Sequence, residues 1–121
     1  MRQIYINKWS ETVNATHSKY VLSDVVKPGC ILHVHNCFAH APERKVNDII
    51  QMGVRDGVSD VLVRSRGGAI AKEGMTNLND FFVGEGDLIF AYFPDSDDTN
   101  TIELHVIGCL LSIDEYREKG E

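Results

Sequence analysis

Three of the chain's five histidines and two of its three cysteines fall between Pro28 and Glu43, in the run P-G-C-I-L-H-V-H-N-C-F-A-H-A-P-E. His33 and His35 are two positions apart. On a strand such residues project from the same face. Two imidazoles would then stand side by side, with Leu32 and Val34 turned toward a core. Neutral imidazole is a good ligand for zinc and related metals, and a further nitrogen and a carboxylate would complete a site. His40 and Glu43 follow in the next loop and could supply both. His105, on a later strand, is an alternative fourth ligand. The competing reading takes these histidines as polar decoration of an exposed or subunit-facing strand, with no metal and no cofactor, and that reading is the one carried forward.

Other residues suggest chemistry less completely. Cys37 shares a face with His35 by strand parity and could be read as a thiolate–imidazole pair. No third orienting group accompanies it. Cys30 and Cys109 read as small buried apolar thiols. Asp95, Asp97, Asp98 and Asn100 suggest a cation loop, but the glycine and distal glutamate of a calcium loop are missing. A solvated acidic turn fits that composition better. Gly67-Gly68 and Gly84-x-Gly86 read as turns, since neither sits between a strand and a helix as a phosphate loop would. Trp9, with Tyr5 and Tyr20, could form a carbohydrate platform, an interface anchor or a partly buried core cluster.

The elements that must position these residues are strands. Short apolar runs alternate with turn signals over almost the whole chain, the pattern of an all-β sandwich or barrel. Strands are expected at Gln3 to Asn7, Tyr20 to Val26 and Cys30 to Phe38, the last with Leu32, Val34 and Phe38 inward. Asp56-Gly57 marks a hairpin. A two-residue turn there sets Met52 against Val61, Ile50 against Val63 and Val54 against Ser59, all on a core face. Ser65 to Met75 reads as a glycine-rich connection. Thr76 to Val83 could be a strand or a helical turn. Leu88 to Phe93 is apolar on both faces, as a central strand should be. Thr101 to Leu111 is the last strand, with Ile102, Leu104 and Val106 inward and Glu103 and His105 outward. Its second half is apolar on both faces, which points to burial by the termini or by another subunit. Helical turns are expected only around Ser10 to His17 and Asp114 to Lys119. The sum is a single antiparallel β-sandwich domain over residues 1–121, jelly-roll-like or immunoglobulin-like, with seven or eight strands.

Bulk properties narrow the partners. A chain of 121 residues can bury one core. A net charge of −6 argues against a nucleic-acid partner. Three cysteines without a C-x-x-C pair argue against a disulfide framework. The first residues do not form a signal peptide, and no apolar stretch is long enough to span a bilayer as a helix.

Two resemblances follow. His33-x-His35 with a downstream glutamate, and the later Gly86-Asp87 strand, resemble the motifs of the cupins. Membership would imply a metal-dependent enzyme on a small molecule, with His33, His35, His40 and Glu43 or His105 as ligands. The spacings differ from that pattern, and Pro94 leads into acidic residues where a second histidine motif would stand. In size, acidity and β pattern the whole chain resembles bacteriophage virion accessory proteins, especially capsid decoration proteins. That resemblance implies a non-enzymatic structural protein without catalytic residues, located in the virion after assembly in the host cytoplasm. It would act as a homo-oligomer, a trimer foremost, on a capsid protein. Trp9, Ile107 and Leu111 are the interface candidates.

Overall fold

The computed structural model describes residues 2–13, 19–44, 47–70, 72–96 and 99–114. Nine strands follow one another: β1 (Arg2–Thr12), β2 (Tyr20–Leu22), β3 (Cys30–His40), β4 (Asn47–Asp56), β5 (Ser59–Ile70), β6 (Met75–Thr76), β7 (Phe81–Val83), β8 (Leu88–Tyr92) and β9 (Thr101–Ser112). They form two antiparallel sheets. The first runs β1-β9-β3, and β6 and β7 both pair with β3. The second runs β2-β8-β4-β5. The expected sandwich is present, and its nine strands exceed seven or eight because the ambiguous segment after Met75 splits into two very short ones.

The core follows from the period-2 pattern. From the first sheet come Leu32, Val34, Cys37, Ala39, Ile102, Leu104 and Val106, all buried. From the second come Val21, Ile50, Met52, Ile89 and Ala91, with Phe93 just beyond β8. Each fully buried aliphatic side chain stabilises the fold by about 1.5–3 kcal/mol before the entropy of ordering is subtracted. Among the described residues, no helix is long and apolar enough to cross a membrane.

Three expectations are corrected. The first concerns β3. Val34 lies opposite Gly108 and Asn36 opposite Ile107, so His35 is an extra residue at a bulge. Beyond it the parity inverts. Cys37 goes inward and is fully buried, whereas Phe38 goes to the outer face, beside His40 and His105. Cys37 therefore shares no face with His35, and burial pushes its thiol up to about 12. Gly108 belongs to the same feature: a Cβ there would lie 2.0 Å from the His33 carbonyl oxygen, so β9 can approach the bulge only without a side chain.

The second correction is the hairpin. Asp56 pairs with Ser59, so Gly57 and Val58 form the turn, one residue later than expected. Gly57 takes φ 61°, which a tight hairpin turn needs at its first central position. Val54 faces Val61, one register shift between Gly53 and Met52 then sets Met52 against Arg64 and Ile50 against Arg66, and a second follows between Ile50 and Asp48. Ile50 and Met52 are buried as expected, but Val61 is exposed and Val63 only half-buried. As an edge strand, β5 has no neighbour on its far side to continue the core over it.

The third concerns boundaries. β1 extends to Thr12, so the helical turn expected from Ser10 gives way to strand through Thr12; the rest of that window, from Asn14, lies outside the described residues. β2 stops at Leu22, and β5 occupies much of the expected glycine-rich connection. At the far end only Ile113 and Asp114 begin a helical turn, and the remainder of that expectation also lies outside the described residues.

Candidate functional site: the outer face of the first sheet

Residues paired across strands share a face, so the ladder itself spells out the outer surface of the first sheet. One rung runs Ile4, Cys109, His33, Phe82 across β1, β9, β3 and β7. The next carries Ile6, Ile107 and Asn36. A third carries Lys8, His105, Phe38 and Thr76. A fourth carries Ser10, Glu103 and His40. The face therefore combines apolar and titratable side chains. Ile4 is 76% exposed, Ile6 70% and Ile107 47%. An open depression of about 360 Å³ lies among Ile6, Asn7, Lys8, His105, Val106 and Ile107.

The histidines sort into two groups on this face. His33 Nε2 and His35 Nδ1 lie 3.2 and 3.0 Å from Asp80 Oδ2, and the two rings are 4.2 Å apart. Phe82 stacks on the His33 ring at 4.4 Å. Asp80, between β6 and β7, is exposed. The hydrogen bond from His35 holds its carboxyl below the usual aspartate range; desolvation opposes this, and the His35 charge, the hydrogen bond from His33 and the His33 charge add to the lowering.

The second group is better enclosed. His40 Nε2 is 2.9 Å and His105 Nε2 3.2 Å from the same oxygen, Glu103 Oε1. Lys8 Nζ approaches that oxygen at 3.5 Å. His40 and Glu103 are direct cross-strand partners, and His105 lies two residues from Glu103 on the same face of β9. Partial burial of Glu103 raises its pKa, but hydrogen bonds from His40 and His105 and the Lys8 charge outweigh that, leaving it below the usual glutamate range. In each group the three ligand-capable atoms lie within 4.8 Å of one another.

The four residues expected to share one metal site do not converge. His33 and His35 fall in one group and His40 in the other, while Glu43 belongs to neither. Among the interface candidates, Ile107 is exposed on the outer face. Trp9 turns inward from β1, half-buried against the core and 6.4 Å from the Tyr5 ring. Leu111 is corrected: at 4% exposure it is buried within its own chain rather than open to a partner. Sequence reasoning missed Asp80, which has no motif around it, and missed the pairing of Glu103 with His40, which depends on β3 lying beside β9. The outward alternation of Glu103 and His105 was the one available signal.

The outer face of the second sheet is built differently. Tyr20 stacks on Tyr92 at 4.4 Å and meets Phe90 edge-on at 5.9 Å. The Arg55 guanidinium lies 5.0 Å from the Tyr20 ring centre and is held by two hydrogen bonds to Asp60. These hydrogen bonds push the Arg55 pKa up and the Asp60 pKa down.

No family model matches the chain, and no curated protein sequence matches it. Solved structures do. A chain of the acid-stable capsid of Helicobacter pylori bacteriophage KHP30 superposes with a TM-score of 0.60 at 14% identity, over 92% of this chain and 94% of its own. The nucleoplasmin-like core of Drosophila gives a TM-score of 0.45 at 12% identity, over 88% and 98% of the two chains. A family 35 carbohydrate-binding module of Clostridium thermocellum gives 0.40 at 19% identity, over 92% of each. At such identities the first likeness is one of fold, and the other two, at lower scores, carry no further weight.

Proposed function

We propose that this protein is a non-enzymatic structural component of a virus particle, a capsid decoration or similar accessory protein of a bacteriophage, acting through oligomeric contacts. The observation that carries the reading is the outer face of the first sheet. Ile4 and Ile6 on the edge strand and Ile107 beside them stand open to solvent in adjacent rungs. Contiguous exposed apolar surface of this kind marks an interaction site on a soluble domain. The fold-level likeness to a phage capsid chain supports the same reading. A homo-oligomer, with a trimer favoured, would close over that face and leave the rest of the molecule to meet a capsid protein. The protein would be assembled in the host cytoplasm and end in the virion.

Light scattering coupled to size exclusion tests this. The expected result is a closed oligomer that Ile6→Asp combined with Ile107→Asp converts to a folded monomer. A wild-type chain that stays monomeric at high concentration overturns the proposal.

A metal-dependent enzyme of cupin type is the second reading, favoured by the two groups of ligand-capable side chains. Against it, both groups lie on an open sheet face rather than in the concave, largely apolar pocket that small-molecule sites use.

A further inference from the structure

We propose that His40, Glu103 and His105 form a binding site for a divalent transition metal of the zinc class. The donor set is the first argument. Two imidazole nitrogens and one carboxylate oxygen suit a borderline-soft cation, and they leave one tetrahedral position open. Geometry is the second. In a tetrahedral zinc site, bonds of about 2.0–2.1 Å set the ligand atoms about 3.3 Å apart. Two of the three separations already approach that value: His40 Nε2 and His105 Nε2 lie 2.9 and 3.2 Å from Glu103 Oε1. All three atoms lie within 4.8 Å of one another. A cation can enter by small side-chain rotations, without moving the backbone.

Position in the fold is the third argument. His40 and Glu103 face each other across two paired central strands, and Glu103 and His105 are alternate residues of one of them. The ladder hydrogen bonds of the sheet fix all three Cα positions. The Phe38 ring, 4.7 Å from His40 and 5.7 Å from His105, walls one side with apolar surface. Side-chain exposure is 15% for Glu103, 17% for His40 and 35% for His105, so two of the three ligands are largely enclosed before a metal arrives.

The group formed by His33, His35 and Asp80 offers the same donor types and similar spacings, but on less favourable ground. His35 and Asp80 side chains are 46% and 53% exposed. Asp80 comes from a connection between two short strands, and His35 sits on the bulge. Fixing these groups costs more side-chain and loop entropy. The tighter site is therefore the one on the paired strands.

Lys8 sharpens the case. Its ammonium, 3.5 Å from Glu103 Oε1, holds the carboxylate as a charge partner where a metal would sit. Its side chain is 54% exposed and can swing into solvent. It competes with the metal and does not ligate it. Ligation requires imidazole nitrogens free of protons, so binding weakens as pH falls.

The test is calorimetric titration of Zn²⁺ alone into the full chain near neutral pH, with Co²⁺ absorption as a second readout of ligand geometry. The wild-type chain is expected to take up stoichiometric Zn²⁺ and to give the intense visible bands of four-coordinate Co²⁺. His105→Ala and Glu103→Gln should each weaken the tightest binding by roughly a hundredfold, the upper end for loss of even an outer-shell partner. Asp80→Asn should leave that binding unchanged, and Lys8→Gln should leave it unchanged or tighter. Glu103→Gln preserves side-chain size, and its far-ultraviolet circular dichroism confirms folding. Absence of stoichiometric uptake overturns the proposal. So does loss of the tight binding in Asp80→Asn but not in His105→Ala, or a weakening in Lys8→Gln.

Discussion

On the outer face of the second sheet, aromatic rings cover one another; on the outer face of the first, apolar and titratable side chains stand open. Phe90 belongs to the former and is 1% exposed, although it points away from the core. Tyr20 and Arg55 lie against its ring, Tyr92 stacks on Tyr20, and Asp60 fixes the arginine. Ile6 belongs to the latter and is 70% exposed with a rung of its own beside Ile107. The same all-β pattern produced both faces. The difference lies in side-chain size and chemistry: long rings and a planar guanidinium reach across to neighbouring strands, whereas isoleucine cannot. The face that covers itself contributes to folding; on the other, Ile4, Ile6 and Ile107 stand exposed among the described residues.

The largest contrast expected is one of reactivity within the first sheet. Cys37 is fully buried with its thiol pushed up to about 12, while Cys109 lies on the outer face and is partly exposed. Alkylation of the folded protein should modify Cys37 roughly a thousandfold more slowly than Cys109, as followed by peptide mass spectrometry. Comparable rates would place Cys37 outside and break the bulge assignment.

Next comes stability. Phe90→Ala should cost about 3–5 kcal/mol in denaturant unfolding, the usual range for emptying an aromatic site. Ile6→Ala, measured with the chain held monomeric, should cost under about 0.5 kcal/mol. Equal costs would erase the distinction between the two faces. Arg55→Met should fall between them, at about 1 kcal/mol, since a ring contact and a partly buried ion pair are lost together while the aliphatic stem is kept.

The smallest effect concerns acid. Glu103 has a folded-state pKa below its ordinary value of 4.5. Its contribution is therefore complete above that ordinary value and disappears as pH falls through the lower folded-state value. Thermal melts from neutral to acid pH should show the wild-type chain losing more stability in that window than Glu103→Gln does. Identical slopes would mean that the histidine hydrogen bonds do not hold the carboxylate.

Much of this architecture was legible from residue types. Alternation placed Ile102, Leu104 and Val106 inside and Glu103 and His105 outside, and the structure agrees. The apolar run Leu88 to Phe93 read as a central strand, and β8 does lie between two neighbours. What could not be read is whatever depends on counting against a partner. His35 looks like an ordinary alternating residue until β9 is laid beside it, and only then is it one too many. That single insertion sent Cys37 inward and Phe38 outward. Likewise Asp56-Gly57 and Gly57-Val58 are both acceptable turns by local chemistry, and only the twisted, bulged ladder of β4 with β5 selects the second. Asp80 reaches the histidines from 45 residues away, beyond any spacing rule.

The extra residue in β3 can be removed without disturbing the interior. Deleting His35 would bring Val34 and Asn36 into regular alternation opposite Gly108 and Ile107, so every interior side chain would keep its place. An added residue in the regular part of β3, away from the bulge, would instead turn the strand beyond it inside out. Removal of His35 therefore takes away one of the two histidines beside Asp80 without turning any core residue outward.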